Sequence, residues 1–195
     1  MGKEGISVSS REKLLDVAFE EIYHNGYAAT SVDKILKKAN MNKGSMYHFF
    51  KSKKELGLAV VNERVNSYII DKYGVLLNHE KNICEELMKL IKNRSTFDFT
   101  CGCKLNNLMQ ELSPIDKDFK KALEVVYTRF ENIIEQVLDK AVLKNEIKHD
   151  DTKALSMYIV ASIEGCLGTA KKSQDGSYFQ TCISQLELFL STIKK

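Results

Sequence analysis

The chain contains a single proline in 195 residues. It also has no Asn-Gly turn set between alternating apolar runs, so hairpins are not expected and an all-α fold is. No apolar run approaches the roughly 18 residues of a spanning helix. The opening MGKEGISVSS lacks an apolar signal core. A cytoplasmic protein with no membrane partner is therefore expected. The five cysteines (84, 101, 103, 166 and 182) are odd in number and show no CxxC spacing. That excludes a zinc-ribbon reading and points to reduced thiols, with Cys84, Cys166 and Cys182 in the core and no metal site. No nucleophile elbow, phosphate loop, HExxH or paired-carboxylate pattern occurs, which argues against an enzyme and calls for no cofactor. Nor is there an internal repeat.

Acid is also missing, locally. From Lys34 to Lys54 there are seven lysines and no Asp or Glu. Residues 1–56 hold 10 Lys+Arg against 7 Asp+Glu, and the remainder holds 19 of each, so the whole excess of +3 sits at the front. Within that basic stretch the pattern is two short helices and a turn. Ser31 is an N-cap for a helix carrying Val32, Ile35, Leu36 and Ala39. Asn40 suits the left-handed residue that a tight inter-helix turn needs. Asn42 caps a second helix, Lys43 to Phe50, whose Met46, Phe49 and Phe50 share one side. Ser52 and Glu55 form a capping box for a third. Upstream, Ser9 and Glu12 open a helix with a Leu14, Leu15, Ala18, Phe19, Ile22 stripe that Asn25-Gly26 ends. Residues 1–8 read as a basic or disordered arm. A basic helix-turn-helix beside a neutral remainder is the footprint of a duplex-DNA reader.

The same residues resemble a known family. Gly26-Tyr27, Thr30-Ser31-Val32, Ile35, Ala39, Lys43-Gly44-Ser45, Tyr47-His48-Phe49-Phe50 and Ser52-Lys53-Lys54-Glu55-Leu56 follow, over about 45 residues, the DNA-binding domain of the tetracycline-repressor-like (TetR/AcrR) transcription regulators. Leu36, Asn40 and Asn42 depart from its usual Ala, Gly and Ser. The resemblance implies an all-α protein: an N-terminal three-helix domain with the helix-turn-helix, residues 1–52, and a larger helical ligand-binding and dimerisation domain, residues 53–195. It implies a homodimeric repressor on double-stranded operator DNA. Lys43, Tyr47 and Lys53 would grip phosphates, with Thr30 or Ser31 donating a hydroxyl. Gly44 would let the helix start approach the groove, where Ser45 and His48 would read base edges.

Helical periodicity continues to the end of the chain. A long helix is expected from Lys53 to about Leu77, then Lys81–Arg94, Cys103–Leu112, a Ser113-Pro114 break that starts the next helix, Asp116–Asn145, Asp151–Lys172 and Tyr178–Ile193. The helices at 116–145 and 151–172 are the expected dimer surface, the second through Ala154, Ala161, Ser162, Gly165, Gly168 and Ala170. An effector pocket is expected among Tyr68, Phe97, Phe99, Asn106, Met109, Gln110, Tyr127 and Phe130. The segment Cys101-Gly-Cys103 to Ser113 resembles a Gly-Cys-led segment in the branch of the family that includes the N-ethylmaleimide reductase repressor, a sensor of electrophiles and hypochlorite. That resemblance makes Cys103 the sensing thiol and Lys171 its partner, with a nearby ammonium lowering the thiol's pKa. Cys101 is a candidate resolving partner, although geometry disfavours a bond across one glycine. His24, His79 and His149 read as isolated surface residues. An open alternative is a DNA-binding protein whose larger domain docks a protein instead of a small ligand.

Overall fold

Ser9 starts the first helix by accepting a hydrogen bond from the Glu12 N–H at 3.2 Å. This computed structural model describes residues 9–195; the arm expected over residues 1–8 lies outside them. Helix α1 (Ser10–Asn25) ends at Gly26, whose φ of 80° suits a residue without Cβ. Helix α2 (Val32–Ala39) is capped by Ser31 and closed by Asn40 at φ 54°, as the turn chemistry requires. Helix α3 (Lys43–Phe49) is capped by Asn42, whose Oδ1 lies 2.8 Å from the Ser45 N–H. Leu14, Leu15, Ala18, Ile22, Ile35, Ala39, Met46 and Phe50 close the core of this head. Leu36 is part of it too, so the departure from Ala is absorbed by burial.

A continuous helical path then leaves the head. It comprises α4 (Lys53–Ala59), a π-helical segment (Val60–Val65), α5 (Asn66–Tyr73) and a 3₁₀ turn (Gly74–Asn78). The wider π turn falls where Val60, Val61 and Val65 are all fully buried, between α1 and a long helix of the body, α8 (Lys117–Leu143). The body continues with α6 (Ile83–Lys92), α7 (Lys104–Leu112), α8, α9 (Thr152–Lys171) and α10 (Gly176–Thr192). Phe119, Leu123, Val126, Phe130, Ile133, Ile134, Val137 and Ala141 hold the expected buried stripe along α8. Pro114 does not start α8. It lies in the preceding turn, and Asp116 makes the cap by accepting from the Asp118 and Phe119 N–H groups.

One expectation about the body needs correction. Cys182 is exposed, not core, and it is bonded to Cys166 across α9 and α10, so these two thiols are not free. The outward face of α8 carries Lys121, Glu124, Thr128, Arg129, Asn132 and Gln136, with Val125 and Leu143 as exposed apolar residues of the same helix. A larger group of exposed apolar side chains lies on α9 and α10, at Met157, Tyr158, Tyr178, Leu188 and Phe189. Beside it, nothing stands within 4 Å of where a Cβ would sit on Gly165 or Gly168. Ala154 and Ala161 share that open face, whereas Ala170 is buried.

Candidate nucleic-acid interface and effector core

The second helix of the helix-turn-helix presents Lys43, Gly44, Tyr47 and His48 to solvent, with Tyr47 55% exposed. Ser45 is half-buried and its hydroxyl donates to Asn42 Oδ1 at 3.1 Å. Lys43 pairs with Asp33 at 2.9 Å, an exposed contact that a phosphate could replace at little cost. Ser31 is exposed and keeps its hydroxyl proton for a donor role. Thr30 is not available for DNA. It is fully buried, and its hydroxyl donates to the backbone oxygens of Glu21 (3.1 Å) and Gly26 (2.6 Å), locking the α1–α2 loop. Lys53 is partly tied down as well, over the Tyr27 ring at 4.4 Å and on Ala28 O at 3.3 Å, and burial lowers its pKa.

The basic stretch is less bare than its composition. Glu21, 3% exposed, holds both Lys34 and Lys38, and those ammonium groups keep its carboxyl below the usual range. Lys54 bridges to Asp116 and Asp118 of the body at 2.8 and 2.7 Å. Among the described residues, Lys37 and Lys51 are the lysines of this stretch whose ammonium groups have no acidic partner within 4 Å and no cation–π contact.

Head and body are fastened together. The two Glu111 carboxylate oxygens on α7 accept from the Tyr27 N–H at 2.9 Å and the Ala28 N–H at 2.7 Å. The Tyr23 hydroxyl donates to Gly102 O at 2.9 Å. Tyr27 packs edge-on against Phe119 with centroids 4.9 Å apart. Gly57 is required there, since a Cβ would come within 2.6 Å of Tyr27 and 2.8 Å of Phe119. A cleft of about 640 Å³ runs along this seam, lined by Tyr23, His24, Cys101, Lys104, Gln110 and Lys171 among others. Gln110 therefore faces the seam, exposed, and not an internal pocket. His24 is not isolated either: its Nδ1 is 3.2 Å from Cys101 Sγ and its Nε2 3.4 Å from Glu20.

Inside the body the expected pocket residues divide. Phe130 is wholly buried and stacks on Tyr73 at 4.1 Å, so it is core. Phe97 and Phe99 pack on Phe179, and Asn106 and Met109 are half-buried on α7. Tyr68 and Tyr127 lie within electrostatic reach of a group that the sequence does not single out, Glu164 on α9. Glu164 is 5% exposed, burial pushes its pKa up to about 7, and its Oε2 has no hydrogen-bond partner among the described residues. Lys72 stands in the same cluster, 3.4 Å above the Phe97 ring and donating to Thr96 O at 2.7 Å; burial pulls it down to about 8. A buried acid and base without a mutual bond are costly, and such groups mark ligand-handling sites. No residue type or spacing in α9 distinguishes Glu164 from an ordinary helical acid, so the sequence alone does not reveal it.

Cys103 belongs to this cluster. It caps α7, its Sγ accepting from the Asn106 N–H at 3.5 Å, and its thiol lies within electrostatic reach of Glu164. Burial and the Glu164 charge push its pKa well up. The expected Cys103–Lys171 pair does not form. Lys171 reaches Asn107 Oδ1 at 3.4 Å on the seam side, where its charge acts on Cys101. There, burial and Asp98 outweigh it and the Cys101 pKa is still raised.

Comparison with known proteins places this geometry. Residues 14–60 match the family described as bacterial regulatory proteins, tetR family, and residues 81–185 match the LmrA/YxaF-like transcriptional regulator C-terminal domain. An uncharacterized HTH-type transcriptional regulator from the lacX 3′ region of Lactococcus lactis subsp. lactis is 33% identical over 173 residues, 86% of each chain. The transcriptional regulator AcuR of Cereibacter sphaeroides is 29% identical, over 83% of this chain and 76% of its own. Among solved structures, the reduced form of E. coli NemR superposes with a TM-score of 0.84 at 20% identity, covering 93% of this chain and 98% of that one, which shows the shared fold. Relatives and families alike are transcriptional regulators and not enzymes. With a helix-turn-helix head and an LmrA/YxaF-like body matched in succession, this chain is a DNA-binding transcriptional regulator of the TetR family.

Proposed function

We propose that the protein is a homodimeric repressor that leaves its operator when a small molecule enters the cluster around Glu164. The observation that carries this reading is the unpaired Glu164 carboxylate oxygen, held inside a body that Glu111, Tyr23 and Lys54 fasten to the reading head. A ligand that moves α7 shifts Glu111 and the backbone of Tyr27 and Ala28 with it. Dimerisation goes through the exposed apolar face of α9 and α10, and sets two heads about one DNA turn, roughly 34–36 Å, apart. Lys43 and Tyr47 grip phosphates, Ser31 and Lys53 assist, and Gly44, Ser45 and His48 meet the groove. Release by thiol modification is a second route, better served by half-buried Cys101 beside His24 than by buried Cys103.

The test is retention of a duplex selected from a random pool. The Lys43→Ala and Tyr47→Ala proteins should remain folded dimers and bind at least about tenfold more weakly. Lys43→Ala should also reduce the salt slope of log K by about one. Unchanged affinity and slope in both would remove α3 as the recognition helix.

A further inference from the structure

We infer that Cys166 and Cys182 are a reversible dithiol–disulfide couple that locks α10 to α9 in oxidising conditions, an input separate from the Glu164 cluster. The two residues are bonded, with Cα atoms 5.6 Å apart, inside the range a bridge allows. They lie on neighbouring helices, 16 residues apart in sequence. The other three cysteines are free. In a reducing compartment a lone bridge of this kind is transient and follows the redox state.

Burial sets the order of events. Cys182 is exposed and Cys166 is 3% exposed. The Cys182 thiolate attacks one sulfur of a low-molecular-weight disulfide such as glutathione disulfide. That S–S bond breaks, one glutathione thiolate leaves, and a mixed disulfide remains on Cys182. Cys166 then loses its proton to solvent and its thiolate attacks the Cys182 sulfur, expelling the second glutathione thiolate. Two protein thiols are oxidised by two electrons, and one small disulfide is reduced to two thiols.

The bridge acts on a hairpin with a function. About two turns away, Tyr158 and Phe189 make an edge contact between the same helices, 5.3 Å between centroids. Together, bond and contact fix the register of the exposed apolar face. The link to oligomerisation rests on the dimer face proposed above; the couple itself does not.

The experiment treats the full-length protein with glutathione disulfide and then dithiothreitol. Free thiols should fall from five to three and return to five. Amide exchange across residues 176–192 should slow about tenfold in the oxidised form, and the dimer dissociation constant should fall by about the same factor. The Cys182→Ser protein should hold four thiols throughout, with exchange that no longer responds. Five persistent thiols, a glutathione adduct that never resolves, a bond between two chains, or a closed bridge with unchanged exchange would each overturn the proposal. A protein monomeric in both states would refute the dimer face, and the thiol count and exchange would then decide the couple alone.

Discussion

Removing the Glu111 carboxylate should unfasten the reading head from the body. Its two oxygens take the Tyr27 and Ala28 N–H groups, and Glu111→Ala leaves both donors without a protein partner. A hydrogen bond to a charged acceptor contributes about 1.5–3 kcal/mol. Ala28 is exposed and Tyr27 half-buried, so water recovers part of each loss and the lower bound applies. Two bonds then amount to about 3 kcal/mol. For a chain of this size that lowers the Tm by about 6–12 °C. Glu111→Gln, which keeps one neutral oxygen, should lose about half as much. Calorimetry measures the total, and amide exchange at Tyr27 and Ala28 shows where it arises. A Tm within about 1 °C of the parent, with exchange at those two amides unchanged, would refute the clamp.

Thr30→Val should cost about 1–2 kcal/mol, because a buried hydroxyl that serves two carbonyls is lost; weaker DNA retention without loss of stability would mean that Thr30 touches DNA after all. Glu164 titrates at about 7 in the folded chain against 4.5 as a free side chain, so the native state holds the extra proton between these values. Its contribution is therefore present below pH about 4.5 and is lost, by about 3 kcal/mol, as pH rises through 7. Glu164→Gln should flatten that part of the profile and be the more stable protein at pH 8, read from urea midpoints; parallel profiles would count against a buried carboxylate. Phe189→Arg, on the apolar face of α10, should give a folded monomer by sedimentation, and an intact dimer would place the interface elsewhere.

The local architecture was legible because its causes are local. Ser9, Ser31, Asn42 and Ser52 each cap the helix that follows, and Asn40 takes the left-handed turn, since a cap or turn needs only its own few neighbours. The apolar periodicity of α8 likewise announced its buried stripe. The sequence by itself therefore determined an all-helical chain with a helix-turn-helix at its front, and which residues of α3 could face a groove. Only the tertiary structure decided which partners meet through space. It turned Thr30 inward, set Glu21 against Lys34 and Lys38, took Lys171 away from Cys103, joined Cys166 to Cys182 and left one Glu164 carboxylate oxygen without a partner among the described residues. Each of these depends on how helices distant in sequence pack. Charge and burial energies act over a few ångströms of space, and no spacing along the chain records them.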